Sequence, residues 1–252
     1  MIPDGTRLVK PVPRLFAGLG RALARALGQD CFLCGQPTQA PVCPGCTRDL
    51  PAAPQSACPI CALATPDGAI CGRCLTHTPA FDVTRSTFSY AYPVDSLIQA
   101  GKYHAAFPVL SWLAQCLSAR CLAHYRDSGS NPDLIVPMPL HAARLRDRGY
   151  NQAVLLAHPL AACWQVPLAH TLVTRLFDTV PQSRLSLSAR RRNLRGAFAC
   201  SADLSGRHVV VIDDVMTSGA SLEELALSLK RCGAARVDNW VLARTAALPP
   251  ER

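Results

Sequence analysis

Val209-Val-Val-Ile-Asp-Asp-Val-Met-Thr-Ser-Gly-Ala-Ser221 is the stretch whose reading decides the fold. Four β-branched residues, Val209 to Ile212, predict a short strand buried on both faces, as in a parallel sheet. Asp213 and Asp214 follow where that strand is expected to run out. Thr217, Ser218, Gly219, Ala220 and Ser221 form a small-residue turn into a helix. Leu222, Leu225, Ala226 and Leu229 fall on one helical face, and Gly233 suits the C-terminus. Strand, acid pair, small turn and helix start together predict an anion site at the carboxyl end of an open α/β sheet.

This stretch resembles the phosphoribosyl pyrophosphate (PRPP) motif of type I phosphoribosyltransferases: four apolar residues, two acids, then a Thr/Ser-Gly turn. The resemblance implies that Asp213 and Asp214 hold the ribose hydroxyls. It also implies that Thr217, Ser218, Gly219, Ala220 and Ser221 wrap the 5′-phosphate. The alternative is an ordinary strand–loop–helix unit whose acids are solvated.

The 252 residues suffice for one domain with a small appendage. Hydrophobic residues make up 49%, enough for a core, and the net charge is +9. Only Lys10, Lys102 and Lys230 of the 26 basic residues are lysines. Arginine forks suit phosphate oxygens, although codon bias alone would give the same composition. No apolar run approaches the ~18 residues that span a bilayer. Arg14-Leu-Phe-Ala-Gly-Leu-Gly-Arg-Ala-Leu-Ala-Arg-Ala-Leu27 lacks a clean signal core and predicts a short amphipathic lead-in helix within residues 1–30. A cytoplasmic protein is expected.

Eight of the 13 cysteines form four CxxC pairs: Cys31/Cys34, Cys43/Cys46, Cys58/Cys61 and Cys71/Cys74. Two such hairpins complete one tetrahedral thiolate site, so residues 31–78 are expected to be a double zinc ribbon. Sequential pairing is preferred, with interleaved pairing as the alternative. Four thiolates leave no open position on the metal, which makes both Zn2+ ions structural. A region of this size gains its folding energy from metal. Disulfides would need an oxidising compartment. Cys116, Cys121, Cys163, Cys200 and Cys232 are expected to be buried, inert thiols.

Residues 79–245 then alternate strands and helices, with 246–252 a tail. A strand is expected over residues 84–92, helices over 94–103 and from 107 to about 125, and a loop over 126–133. Leu134-Ile-Val-Pro137 is a strand that Pro137 and Pro139 end. Arg144, Arg146 and Arg148 precede a helix opening at Gly149-Tyr-Asn-Gln152, beside the acid pair, where Arg144 or Arg148 could clamp a pyrophosphate. Arg184, Arg190, Arg191, Arg192 and Arg195 lie in a nineteen-residue stretch without an acid. That density fits a mobile flap over phosphates or a nucleic-acid contact. A last strand is expected over residues 237–242.

The whole pattern resembles the ComF/GntX family. It rests on the Cys quartets, Lys102-Tyr103, Pro137-Met-Pro-Leu-His141, Arg148-Gly-Tyr-Asn-Gln152, residues 182–193 and the PRPP-like motif. The resemblance implies a type I phosphoribosyltransferase-like, mostly parallel twisted sheet with flanking helices behind a double zinc ribbon. It implies PRPP with Mg2+ as ligand, Lys102 near it, and a role in DNA uptake during natural transformation. Single-stranded DNA and competence-machinery proteins would then be partners. Any catalysis would be phosphoribosyl transfer. A salvage phosphoribosyltransferase and a non-catalytic nucleic-acid-binding zinc protein are the competing readings. Lys102-Tyr-His-Ala105 lacks the glycine that commonly follows this Lys-Tyr pair in the family.

Overall fold

The structure is a computed structural model that describes residues 28–128, 131–178 and 194–246. The expected lead-in helix and Arg184, Arg190, Arg191 and Arg192 lie outside the described residues. The centre is a four-stranded, all-parallel sheet made of β3 (Val83–Ser89), β4 (Leu134–Pro137), β7 (His208–Met216) and β8 (Arg236–Arg244), in the order β3-β8-β7-β4. Each connection between parallel neighbours needs a crossover, and helices supply it. They are α3 (Val94–Tyr103), α4 (Phe107–Ser128), α5 (Ala142–Arg148), α6 (Gln152–Trp164) and α7 (Ala220–Arg231).

Strand alternation divides the interior into two cores. Val210 and Ile212 of β7 and Trp240 and Leu242 of β8 face α3, α4 and α6. Val209, Val211, Val237 and Val241 face Leu222, Leu225, Ala226 and Leu229 of α7. Continuous burial of Val209, Val210, Val211 and Ile212 follows from this double covering. On the α7 side lies a short antiparallel pair, β5 (Val173–Arg175) with β6 (Phe198–Cys200).

The ribbons begin with β1 (Gln29–Asp30), β2 (Pro37–Thr38), α1 (Pro44–Arg48) and α2 (Gly72–Thr76). They do not share one face of the sheet. Cys31, Val42 and Leu50 belong to the α3–α4–α6 core, whereas Cys58, Cys61 and Cys74 belong to the α7 core. The chain between the quartets covers the β3 edge: Ser89 N–H donates to Pro51 O at 2.8 Å and Ala53 N–H to Thr87 O at 3.1 Å. These bonds occupy groups that an edge strand would otherwise leave open.

Five expectations are corrected. β7 does not end at Ile212. It runs through both acids to Met216, because β8 is equally long and continues the ladder, pairing Asp213 with Val241 and Met216 with Arg244. The loop expected from residue 126 is helical to Ser128. The three arginines after β4 lie on a helix of their own, α5, capped by His141 Nδ1, which accepts from Ala143 N at 3.3 Å. Phe198, the last residue of the nineteen-residue acid-free stretch (180–198), belongs to strand β6 and not to a flap. Of the five scattered cysteines, Cys121 is buried, Cys116, Cys200 and Cys232 are half-buried, and Cys163 is exposed.

Candidate ligand-binding site and metal centres

The extension of β7 sets the site. A strand alternates its side chains, so Asp213 and Asp214 leave the backbone toward opposite faces. Asp214 is buried on the α3–α6 side. Its Oδ1 accepts from Lys102 Nζ at 2.9 Å and its Oδ2 from Gln152 Nε2 at 2.8 Å. Arg148 Nη1 in turn donates to Gln152 Oε1. Burial alone would lower the Lys102 pKa, but the charges of Asp214 and Asp213 outweigh it and hold it above its ordinary value.

Asp213 is half-buried and accepts from its neighbour, Asp214 N–H, at 2.9 Å. Its pKa is pushed up to about 7, first by burial and then by the Asp214 charge, with Lys102 and Arg175 pulling the other way. Burial pulls Arg175 below its ordinary pKa, Arg144 adds to this, and Asp213 opposes it. Asp213 thus sits at the edge of ionisation, while Asp214 is held by two donors.

The raised pKa has a stability consequence. Between roughly pH 4 and 7 the folded protein retains a proton on Asp213 that the unfolded chain has lost. The unfolded state binds fewer protons there, so this group's contribution falls as pH rises through the window. Asp213→Asn removes that burden. It is expected to raise the melting temperature more at pH 8 than at pH 5, as read by thermal denaturation at both pH values.

Past Met216 the chain makes the small-residue turn. Gly219 has φ +82°, a left-handed conformation, and forms the N-cap of α7. A Cβ there would stand 2.6 Å from Met216 Cε, so glycine fits both backbone and space. The N-terminus of α7 directly follows the carboxyl end of β7, and a helix N-terminus favours an anion. Arg244, at the end of β8 and 4% exposed, braces this turn from beneath. It donates to Cys61 O (2.9 Å), Met216 O (3.0 Å), Thr217 O (2.6 Å) and Thr245 O (3.0 Å). A shallow cleft lies between the second ribbon and the turn, lined by Arg73, His77, Phe81, Ser218, Gly219 and Glu223 among others.

Both cysteine groups are assembled by sequential pairing: Cys31, Cys34, Cys43 and Cys46, then Cys58, Cys61, Cys71 and Cys74, with all Sγ atoms of a group within 4.8 Å of one another. Cys34 Sγ and Cys43 Sγ are 3.8 Å apart, and Cys61 Sγ and Cys71 Sγ 3.5 Å. A tetrahedron with Zn–S bonds of ~2.3 Å has edges of about 3.8 Å. The groups fit Zn2+. Knuckle amides point at sulfur, with Cys43 N donating to Cys31 Sγ at 3.3 Å and Cys46 N to Cys43 Sγ at 3.4 Å. Burial raises the Cys31 pKa, but the backbone donors of Cys43, Cys34 and Leu33 outweigh it and lower it to about 6. The same balance brings Cys58 down to about 7.

Of the residues singled out from the sequence, Lys102 and Asp214 meet directly, and Arg148 joins them through Gln152. Arg144 turns instead to Asp178, Nε to Oδ1, at 2.8 Å. Arg195 is exposed, in a turn whose Gly196 N–H donates to Glu224 Oε1 at 2.6 Å. Sequence reasoning assigned no role to Gln152, Arg175 or Arg244. Gln152 was visible as the last residue of its motif. The two arginines carry no local signal, because each is defined by what a distant strand brings to it. Ala105, after the Lys-Tyr pair, has φ +48°. The turn keeps a glycine-like conformation without the glycine.

Comparison with known proteins agrees with this geometry. A phosphoribosyl transferase domain matches residues 119–251 and a double zinc ribbon domain residues 22–75. The DNA utilization protein YhgH of Escherichia coli K12 is 36% identical over 220 residues, covering 85% of this chain and 96% of that protein. Competence protein F of Haemophilus influenzae is 33% identical over 182 residues, 69% of this chain and 78% of its own length. Competence protein ComFC of Bacillus subtilis is 26% identical over 216 residues, 81% and 84% of the two chains. With its parallel sheet, acid pair and two four-cysteine groups, the chain belongs to the ComF family of phosphoribosyltransferase-domain proteins with an N-terminal double zinc ribbon.

Proposed function

We propose that the pocket at the end of β7 binds PRPP, with Mg2+ on its pyrophosphate, and that the protein handles single-stranded DNA during DNA uptake. The observation that carries the ligand reading is the acid pair set against the Gly219 turn and the start of α7. Asp213 and Asp214 would take the ribose hydroxyls, and the amides of residues 217–221 the 5′-phosphate. Lys102, Arg148 and Arg144 would balance the charge of the pyrophosphate. Mg2+ would supply further neutralisation of that group.

The names of the relatives support the DNA role. So does the acid-free arginine stretch that ends at Arg195. Competence-machinery proteins and a cytoplasmic location go with this reading, since thiolate metal centres persist under reducing conditions. Transfer of the phosphoribosyl group to an acceptor is the second reading, favoured by the matching domain.

Calorimetric titration with PRPP and Mg2+ tests the pocket. Asp213→Asn is the informative variant, because it is expected to fold at least as well as the parent. It should lose most of the binding heat, and the Asp213→Asn/Asp214→Asn double variant should lose all of it. Unchanged affinity in both would remove the assignment. Affinity should also fall as pH drops through about 7, where Asp213 takes up its proton.

A further inference from the structure

Two large aromatic side chains stand in solvent beside the acid pair, and nothing in the PRPP reading uses them. Tyr103, the last residue of α3, is 69% exposed, and Phe107, the first of α4, is 50% exposed. Single exposed aromatics are ordinary on a protein surface. These two belong to an organised group. The Arg148 guanidinium lies over the Tyr103 ring, 5.4 Å from its centroid. The Phe107 and Tyr150 rings meet edge to face at a centroid distance of 5.0 Å. Tyr150 Oη donates to Gly101 O, and Arg148 is tied to Gln152, so both inner members are anchored from behind.

The turn between the two helices is equally fixed. His104 N–H donates to Ala100 O at 3.0 Å and Ala106 N–H to the same oxygen at 3.3 Å, with Ala105 in the left-handed region. It sets Tyr103 and Phe107 four residues apart on a rigid bend. Arg148, Gln152 and Asp214 form a continuous hydrogen-bonded chain, and Lys102 adjoins Tyr103 in sequence. The ledge therefore borders Asp214.

We infer that Tyr103 with its stacked Arg148, together with the Phe107–Tyr150 pair, is a ledge on which bases of single-stranded DNA stack next to the candidate PRPP pocket. This rests on the DNA part of the proposed function. The chemistry of the ledge selects the occupant. Flat π-faces backed by a guanidinium are what an unpaired base stacks on, without regard to its identity. Anchored aromatics lose little side-chain freedom on contact. Arg146 and Arg148 provide cations at the border for phosphates, against the single acid Asp147 of α5. All of the ledge residues lie outside the arginine stretch of the sequence.

The test uses the full-length, zinc-loaded protein and fluorescence anisotropy at low salt. The probes are a labelled oligodeoxythymidine and an abasic strand of equal length, which keeps the phosphates and removes the stacking partners. Wild type should bind the oligodeoxythymidine more tightly than the abasic strand. Tyr103→Leu/Phe107→Leu should weaken the first by about tenfold or more and leave the second unchanged. Both substitutions are at exposed positions, and retained melting temperature and PRPP binding heat confirm that the variant is intact. Equal binding of both strands by wild type would show phosphate-only recognition and overturn the ledge. So would a double variant that binds like wild type, with DNA contact itself left standing. If wild type binds neither strand, the DNA reading fails and the ledge with it, while the PRPP titration stands apart.

Discussion

Arg244→Met is expected to be the most damaging single substitution in the sheet. The guanidinium is buried, and its donors satisfy the carbonyls of Cys61, Met216, Thr217 and Thr245. Methionine fills much of the volume and offers no donor. Each buried acceptor left unpaired costs about 1–3 kcal/mol; Cys61 O, Thr217 O and Thr245 O lose this donor, while Met216 O keeps Thr245 N–H at 3.1 Å. The loss should be on the order of 5 kcal/mol, at the upper limit for one substitution. A domain of ordinary stability holds about 5–15 kcal/mol in total, so the variant should be near its folding threshold at 37 °C. Denaturant unfolding checks this.

Arg244→Lys separates the bracing of the turn from global stability. Burial lowers the Arg244 pKa to about 10, so the group remains cationic at neutral pH, and lysine keeps the charge. It cannot reach four oxygens in a fixed fork. The Lys variant should fold, with a lower midpoint, and bind PRPP more weakly because the Met216–Thr217 carbonyls are no longer held. PRPP affinity equal to wild type in a folded Lys variant would show that the brace does not shape the turn.

Metal loss gives the second large effect, and it should differ between the two ribbons. A structural Zn2+ contributes about 10–16 kcal/mol to folding in small zinc peptides. Neither quartet has another means of closing its loops, because no cysteine in the described residues is in a disulfide. The second quartet is joined to the ligand turn through Cys61 O and Arg244 and packs with Met216 and Ala220. The first packs on the opposite face and reaches the sheet through the β3 edge. Cys58→Ser/Cys71→Ser should therefore abolish PRPP binding. Cys34→Ser/Cys46→Ser should lower the melting temperature and leave much of that binding intact. Zinc content near one per chain in each variant, against two in wild type, verifies the loss. Equal damage from both pairs would show that the ribbons act as one unit.

Local patterns carried much of this. Four CxxC pairs at near-constant intervals allow few groupings, and the sequential one is formed because eight- and nine-residue gaps bring successive hairpins together without crossing the sheet. The helices over 94–103 and from 152 were legible from apolar spacing and from turn residues, and the parallel sheet from the run at 209–212. The end of β7 was not. Aspartates are poor strand residues by propensity, and only the length of the neighbouring β8 keeps them in the ladder. Arginine placement was also hidden: composition favoured phosphate contacts, yet Arg244 is spent on carbonyls.

The sequence by itself determined the two cysteine quartets, the strands of the central sheet, and the acid pair followed by a glycine turn. Each is a short-range pattern whose chemistry lies within a few residues. Only the tertiary structure decided that Asp213 and Asp214 face apart, that Lys102 and Gln152 claim one of them, and that the ribbons lie on opposite faces of the sheet. Those facts depend on which strands pair and how long they run, and on hydrogen bonds between residues as far apart as Cys61 and Arg244. Burial decides which of those bonds form, and burial exists only once the chain has packed.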